Sequence, residues 1–334
     1  MTVTAGIPVW LDCDTGNDDA FAIILLACLP QFNLVGVSTS YGNAPLENTT
    51  RNTLAILETL KFLPDEVKVY PGARAPLHGN PTYALDIHGK NGIGGIDPYR
   101  KLSLQPALDE TFFEAVLAEA AKWNGELRLV CTGPMTNLAQ LVKSHPDVRE
   151  QLKLISVMGC AFDGVYNITP YSEFNIHADA EAASIIFGDA ILRPKLIILP
   201  LNITHKAIVT PEIQSRILGE ELNTTDMRRA FYNISEEFRK VYKEARSFST
   251  GPPVHDPVAV AVLLALEDVF GNHDFYNLEY KRGIVEVETS GEKEGMTTLH
   301  RVADDEPGSF IAYDIDITKF WNLVFEAFAF ADYK

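Results

Sequence analysis

Four aspartates lie within eight residues near the start of the chain: Asp12, Asp14, Asp18 and Asp19. Carboxylates this close repel one another unless a cation or shared protons compensate their charge. Aspartates are also favoured at the start of a helix, and this alternative accounts for Asp18 or Asp19 but not for Asp12 and Asp14. Oxygen ligands without Cys or paired His favour a hard cation, Ca²⁺ or Mg²⁺. The motif therefore predicts a metal site.

Other polar segments follow strand-like apolar runs: YGN at 41–43, TGPMTN at 132–137 and VMGC at 157–160. Such runs alternate with longer helical patterns, which predicts βαβ units. We therefore expect a Rossmann-like α/β fold with a mostly parallel central sheet flanked by helices. Ligands of such sheets bind beyond the carboxyl ends of the strands, so the polar segments are expected to meet in one active site there.

Neither a repeat nor a linker divides the chain, so we expect one domain over residues 1–334. Strands are expected near 7–11, 34–40, 67–70, 127–131, 154–158, 196–201, 283–287 and 311–317. Helices are expected near 18–28, 46–60, 109–122, 135–143, 178–187, 225–247 and 318–330, with another that Asp256 caps and Pro257 begins.

The composition excludes some partners. The 334 residues include 45 acidic and 28 basic side chains, a net charge of −17, so nucleic acid and anionic membranes would be repelled. The sequence shows neither a secretory signal nor an apolar run of membrane-spanning length. Four cysteines without metal spacing indicate a reducing compartment. We expect the cytoplasm, with the nucleus as a further location beside it.

The segment DCDTGNDDA at 12–20 resembles the D-x-D-x-G-x-D-D signature of the inosine–uridine-preferring nucleoside hydrolases. Further segments resemble this family in the same order: YGN at 41–43, IHG at 87–89, TGPMTN at 132–137, VMG at 157–159, SEFN at 172–175, THKA at 204–207 and HDP at 255–257. The longer runs look most similar to the fungal uridine nucleosidases. The resemblance implies hydrolysis of the N-glycosidic bond of ribonucleosides, with Ca²⁺ as cofactor.

The resemblance also implies roles for individual residues. Asp14 would be the general base and a Ca²⁺ ligand, and the other ligands would be Asp19, Asp256 and the backbone carbonyl of Thr132. Asp12 would support the turn from behind. A further set would hold the ribose: Asp18, Asn43, Met158, Asn167, Glu173, Phe174 and Asn175.

At the other end of the substrate, His255 would lie beside the departing base and donate a proton, although the acid that serves pyrimidine substrates stays open. His88 belongs to a Gly-rich loop at 78–98 with the composition of a lid. Tyr242, and with less support Phe238, would flank the base. The alternative for both aromatic residues is an ordinary apolar helix face.

Two departures from the family pattern concern the same site. Thr15 replaces the usual proline, which we expect to loosen the first turn. Cys160 stands where a second glycine is common.

Uridine is the first expected substrate, with cytidine, inosine and nicotinamide riboside as others, and the oligomer is expected to be a homodimer or homotetramer. Two alternatives stay open: a Mg²⁺-dependent phosphohydrolase of the D-x-D type, and a non-catalytic nucleoside-binding protein.

Overall fold

The structure, a computed structural model, describes residues 6–63, 66–97, 100–219, 224–245, 248–271 and 277–334. Among these residues nine strands form one sheet: β1 (Ile7–Cys13), β2 (Phe32–Thr39), β3 (Val69–Pro71), β4 (Leu127–Cys131), β5 (Leu152–Met158), β6 (Leu196–Leu199), β7 (Glu279–Val287), β8 (Thr297–Arg301) and β9 (Ser309–Asp314).

The strand order is β3-β2-β1-β4-β5-β6-β9-β7-β8. Neighbours from β3 to β9 run parallel, whereas β7 pairs antiparallel with both β9 and β8. The expected α/β fold with a mostly parallel sheet is confirmed. Strand β8 was not expected, because this edge strand, TTLHR, is polar and mostly exposed and so lacks an apolar run.

The longer helices are α1 (Asp19–Cys28), α2 (Leu46–Thr59), α4 (Phe112–Lys122), α5 (Thr136–Ser144), α8 (Ala180–Gly188), α10 (Pro211–Leu218), α11 (Asp226–Ala245), α12 (Asp256–Gly271) and α13 (Ile317–Asp332). Shorter ones are α3 (Leu85–His88), α6 (Val148–Gln151), α7 (Phe174–Ala178) and α9 (Leu201–Thr204), with a 3-10 turn at Arg193–Lys195.

Several expected boundaries were wrong by a few residues. The strand expected at 311–317 ends at Asp314, and the strand expected at 67–70 is Val69–Pro71. The helix α12 begins at Asp256 rather than at Pro257. The last two residues of the helix expected at 225–247 lie outside the described residues. Helix α10 had not been expected; Thr210 caps it and Pro211 opens it.

Helices cover the sheet on both faces. Val9 and Leu11 of β1 belong to a core with α1, α12 and α13, whereas Trp10 between them belongs to a second core with α4, α5 and α8. Alternate residues of a strand point to opposite faces, so β1 is buried from both sides. The polar residues that follow such strands are thereby gathered at the carboxyl edge. Within the described chain, no helix is both long and apolar enough to span a bilayer.

Candidate active site

The turn between β1 and α1 positions the first motif. Asp12, at the end of β1, directs its carboxylate away from the cavity: Oδ1 accepts hydrogen bonds from Ser38 Oγ at 2.5 Å and Asn137 Nδ2 at 2.7 Å. Burial raises the pKa of Asp12 to about 7 despite these hydrogen bonds. Asp12 thus connects β1 to β2 and α5, which agrees with a supporting role.

Asp14 is fully buried, and its two oxygens differ. Oδ2 accepts a hydrogen bond from the backbone N–H of Asn43 at 2.7 Å, whereas Oδ1 has no hydrogen-bond partner among the described residues. Burial raises the pKa of Asp14 well above its usual value, and the neighbouring Asp19 raises it further. A buried carboxylate oxygen without a donor is costly, which indicates that a cation, water or substrate completes its surroundings.

Two glycines allow this placement of Asp14. A Cβ atom at Gly42 would lie 2.0 Å from Asp14 Oδ2, and one at Gly133 would lie 2.7 Å from Oδ1. Any side chain at either position would displace the carboxylate. The glycines of the YGN and TGP segments are therefore required by the close approach of Asp14.

Asp18, Asp19 and Asp256 bring carboxylate oxygens within 4.8 Å of one another. Asp18 occupies the N-cap position of α1, yet its side chain makes no capping hydrogen bond. The capping alternative is therefore wrong for Asp18, whose Oδ2 instead accepts from the backbone N–H of His255 at 3.2 Å. Asp18 had been assigned to the ribose, and the structure places it in the acidic cluster as well as in the cavity wall.

The carboxylate of Asp19 is held by three donors. Oδ2 accepts from the backbone N–H of Gly16 at 2.7 Å and from Asn43 Nδ2 at 3.1 Å. Oδ1 accepts from Thr132 Oγ1 at 2.8 Å. The loops after β1, β2 and β4 therefore meet at one carboxylate.

The donor set fits a hard divalent cation. Asp18 and Asp19 both lie within hydrogen-bonding distance of Asp256, and burial together with mutual repulsion raises the pKa of the whole cluster. Buried carboxylates in contact must either share protons or bind a cation. With the unpartnered oxygen of Asp14 beside them, these carboxylates offer the all-oxygen surroundings that Ca²⁺ prefers.

Most of the residues expected to bind ribose lie at the end of β5 or in the segment that follows it. Asn175 donates from Nδ2 to the carbonyl oxygens of Thr132 at 2.7 Å and Met158 at 3.2 Å. Asn167 Oδ1 accepts from the backbone N–H of Phe174 at 2.8 Å. These contacts fix the orientation of both amides along the cavity wall, which Met158 and Phe174 also line.

Glu173 lies at the N-cap of α7. Its Oε1 accepts from the backbone N–H of Asn175 at 2.9 Å, and its Oε2 accepts from the N–H groups of Ile176 at 3.1 Å and Cys160 at 3.3 Å. Burial nevertheless raises its pKa to about 7. The carboxylate therefore holds the loops after β5 together, in addition to lining the cavity.

The opposite end of the cavity carries His255, which lies between two hydroxyl groups. Nδ1 is 2.8 Å from Thr204 Oγ1, and Nε2 is 3.2 Å from Tyr242 Oη. Burial lowers the pKa of His255 well below its usual value, with smaller contributions from His205 and His88. The lowered pKa favours the neutral form of the ring. That His255 donates a proton to the departing base stays a prediction.

His88 approaches the same end from α3, within the loop expected to form a lid. Its Nδ1 lies 3.2 Å from both the backbone nitrogen and Oδ1 of Asn17. Burial lowers its pKa to about 3. The ring lies 5.4 Å from that of Phe238, which in turn lies 4.7 Å from the ring of Tyr242. Aromatic side chains of α11 thus face the loop at 78–98.

The cavity between these groups contains about 570 Å³ outside protein atoms, part of it open to solvent. Most residues expected to contact ribose or base line the cavity, as do Thr132, His255 and Asp256: Asp18, Asn43, His88, Met158, Asn167, Glu173, Phe174, Asn175 and Tyr242. Phe238, which was expected beside the base with less support, is not among the lining residues and packs on Tyr242.

Neither departure from the family pattern disrupts the site. Thr15 Oγ1 lies 2.6 Å from Thr53 Oγ1, so Thr15 connects the first turn to α2 rather than loosening it. Cys160 has φ = +77°, a left-handed conformation that glycine adopts without strain. A side chain there costs about 1 kcal/mol, which explains why glycine suits this position.

Some residues of the site could not be expected from the sequence. Thr204 lies in the THKA segment but had no expected role, because its contact with His255 exists only in the folded chain. Asn17 lies inside the first motif, and its connection to His88 likewise depends on the fold. The cavity is also lined by Ala84, Asp86, Ile87 and Ile168.

Comparison with known proteins identifies the class to which this fold and site belong. A sequence profile described as "Inosine-uridine preferring nucleoside hydrolase" matches residues 9–322. The uridine nucleosidase of Saccharomyces cerevisiae is 38% identical over 99% of this chain and 98% of its own length. The pyrimidine-specific ribonucleoside hydrolase RihA of Salmonella arizonae is 33% identical over 97% of this chain and 99% of its own.

A solved structure agrees with these sequence matches. The purine-preferring ribonucleoside hydrolase from Gardnerella vaginalis superimposes with a TM-score of 0.86 at 27% identity, covering 98% of this chain and all of the other. The chain belongs to the inosine-uridine preferring nucleoside hydrolase family. The family and the class of enzyme expected from the sequence are confirmed.

Proposed function

We propose that this nucleoside hydrolase cleaves the N-glycosidic bond of uridine, releasing ribose and uracil, with Ca²⁺ bound at the acidic cluster. The observation that carries the proposal is the buried, unpartnered Oδ1 of Asp14 beside Asp18, Asp19 and Asp256, of which Asp18 and Asp256 line the cavity. Preference for uridine is supported by the similarity to the uridine nucleosidase of Saccharomyces cerevisiae, and preference for pyrimidines by the similarity to the pyrimidine-specific RihA.

Asp14, Asp19, Asp256 and the Thr132 carbonyl would hold the ion, with Asp18 available as a further ligand. When bound, Ca²⁺ would supply positive charge that offsets the carboxylates and attracts oxygen atoms of water and ribose. Asp14 Oδ1 would accept a proton from the attacking water, while the hydrogen bond from Asn43 keeps the carboxylate in place.

The ribose would lie between the acidic cluster and the loops after β5. Asn175 Nδ2 already donates to the carbonyl oxygens of Thr132 and Met158, so the side-chain oxygen Oδ1 is the atom that would accept from a sugar hydroxyl. Asn43, Asn167 and Glu173 would complete the contacts, and Met158 and Phe174 would pack against the ring.

As the water oxygen bonds to C1′, the C1′–N bond breaks and its electron pair passes to the base. The base becomes uracil by taking up a proton from solvent, and Asp14 returns its proton to solvent. Hydrogen-bond donation to the base lowers the energy of that charge. In the productive arrangement Thr204 donates to His255 Nδ1, Nε2–H donates to Tyr242 Oη, and Tyr242 O–H donates toward the base. His88 would enclose the base from the loop at 78–98.

Incubation with a panel of uridine, cytidine, inosine, nicotinamide riboside and uridine monophosphate, with and without a chelator, tests this function. We expect ribose release to be highest from uridine, abolished by the chelator and restored by Ca²⁺. Release of inorganic phosphate without uracil would instead support the Mg²⁺-dependent phosphohydrolase, and ribose binding without turnover would support a nucleoside-binding protein. The cytoplasmic location, the single domain and the homodimer or homotetramer stay predictions.

A further inference from the structure

Asn17 is a buried residue of the turn between β1 and α1, directly before Asp18. Its Nδ2 atom donates a hydrogen bond to the backbone carbonyl oxygen of Ile234 on α11 at 3.1 Å. Its backbone nitrogen and its Oδ1 atom both lie 3.2 Å from His88 Nδ1. Asn17 therefore connects the turn that carries the aspartates to α11 and to the loop at 78–98.

The loop at 78–98 rests on α11 close to Asn17. A Cβ atom at Gly95 would lie 2.5 Å from a backbone carbon of α11, and one at Gly94 would lie 2.7 Å from a side-chain carbon of the same helix. Gly95 also has φ = +83°, which glycine adopts without strain. The loop can therefore lie directly against the helix, and the hydrogen bond from Asn17 to Ile234 holds the turn against the same helix.

The contact with Asn17 determines which ring nitrogen of His88 carries the proton. A backbone N–H group can only donate, so His88 Nδ1 accepts from Asn17 and is unprotonated in this arrangement. The opposite arrangement, in which Nδ1–H donates to Asn17 Oδ1, would set two N–H groups against each other and leave the buried backbone donor without an acceptor.

Burial lowers the pKa of His88 to about 3, which favours the neutral ring. A neutral imidazole carries one proton, and with Nδ1 unprotonated this proton lies on Nε2. Because Nδ1 faces Asn17 while the residue lines the cavity, the Nε2–H group is the one available to a substrate.

We propose that Asn17 is a positioning residue for the base of the substrate: it holds His88 so that Nε2–H is offered to a carbonyl oxygen of the base. This inference rests on the proposed hydrolysis of uridine and adds to it the residue that orients His88. Such a donor stabilises the negative charge that passes to the base as the glycosidic bond breaks. A leaving group without a carbonyl oxygen at this place would gain nothing from it.

Nuclear magnetic resonance of the full chain with ¹⁵N-labelled histidine tests the tautomer without requiring turnover. His88→Gln identifies the signals of His88 by their loss. In the unmodified protein we expect a protonated Nε2 and an unprotonated Nδ1 at neutral pH, and in Asn17→Ala a mixture of both tautomers. Thr15→Val is the matched control, because Thr15 lies in the same turn but its hydroxyl group contacts Thr53, and it should leave the signals of His88 unchanged.

Kinetics test whether Asn17 acts through His88. Asn17→Ala should lower kcat/KM for uridine about tenfold, as expected for the loss of one hydrogen bond in the transition state. With p-nitrophenyl riboside the rate should change less than about threefold, because that leaving group has no carbonyl oxygen to accept the hydrogen bond. Asn17→Ala combined with His88→Ala should be no slower on uridine than His88→Ala alone, since two residues that act as one unit are not additive.

The rise in melting temperature on addition of Ca²⁺ should be the same for Asn17→Ala and the unmodified protein, which would show that the turn still binds the ion. The proposal is overturned if His88 carries its proton on Nδ1 in the unmodified protein, if Asn17→Ala slows both substrates equally, or if the losses in the double variant add. If the unmodified protein released no ribose from any nucleoside, the proposed function would be wrong, whereas the tautomer measurement would still decide whether Asn17 orients His88.

Discussion

At one end of the cavity buried carboxylates meet, and at the other end a neutral imidazole lies between two hydroxyl groups. Both ends are equally hidden from water, yet burial acts on them in opposite directions. It raises the pKa of Asp14 and Asp256 and lowers that of His255, because removal from water disfavours whichever form is charged.

The two ends therefore differ in what a bound ion or substrate must supply. The acidic end gathers carboxylates whose charges must be offset either by shared protons or by a cation. The imidazole end already satisfies its own hydrogen bonds and requires only a substrate that accepts one. We therefore expect substitutions at the acidic end to affect every substrate, and those at the imidazole end to affect substrates with a poor leaving group.

The largest effect should come from Asp14→Asn, which removes the proposed base without changing the side-chain volume. We expect kcat to fall about 10³-fold, within the range for general acid–base catalysis. Asp12→Asn is the control in the same turn, since an amide oxygen can still accept from Ser38 and Asn137, and kcat should fall less than tenfold. Similar turnover of both variants would contradict the assignment of Asp14.

Tyr242→Phe tests the other end and should lower kcat for uridine about 10- to 100-fold, because the base loses a hydrogen-bond donor. With p-nitrophenyl riboside, whose leaving group departs without protonation, the rate should change less than threefold. Asp14→Asn should slow both substrates. If Tyr242→Phe lowered the rate equally for uridine and for p-nitrophenyl riboside, Tyr242 would not act on the leaving group, and the proposed difference between the two ends would be wrong.

Ca²⁺ should raise the melting temperature of the chelator-treated protein by several degrees, because a ligand that binds only the folded state stabilises it. Asp256→Asn should reduce this shift. It should also raise the melting temperature measured without the ion, since one fewer charge remains in the repelling cluster. Differential scanning fluorimetry measures both effects. If Ca²⁺ raised the melting temperature of Asp256→Asn as much as that of the unmodified protein, Asp256 would not be a ligand.

The smallest effect should come from Thr204→Val, which keeps the shape of the side chain but removes the hydrogen bond to His255 Nδ1. We expect a three- to tenfold loss of kcat on uridine, and none on p-nitrophenyl riboside. Thr204→Ser should restore most of the loss, because it keeps the hydroxyl group. If Thr204→Ser were as slow as Thr204→Val, packing rather than hydrogen bonding would explain the effect.

Much of the fold could be predicted because local patterns determine it. Strands such as β6, with four consecutive apolar residues, are buried on both faces and can be recognised from the sequence. The edge strand β8 could not be predicted in this way, since it is stabilised by pairing with β7 and not by burial of its own side chains. Exact helix ends also depend on neighbouring contacts.

The family, the Asp-rich turn and the polar segments at strand ends could be predicted from the sequence, because each depends on neighbouring residues. The direction in which each carboxylate points depends on the folded chain. Asp12 and Asp14 are two residues apart, yet the first binds Ser38 and Asn137 while the second faces the acidic cluster. The structure also brought Thr204 to His255, 51 residues further along the chain. The physical reason is that hydrogen bonds and repulsions depend on distance in space, which the fold sets through the packing of the sheet and its helices.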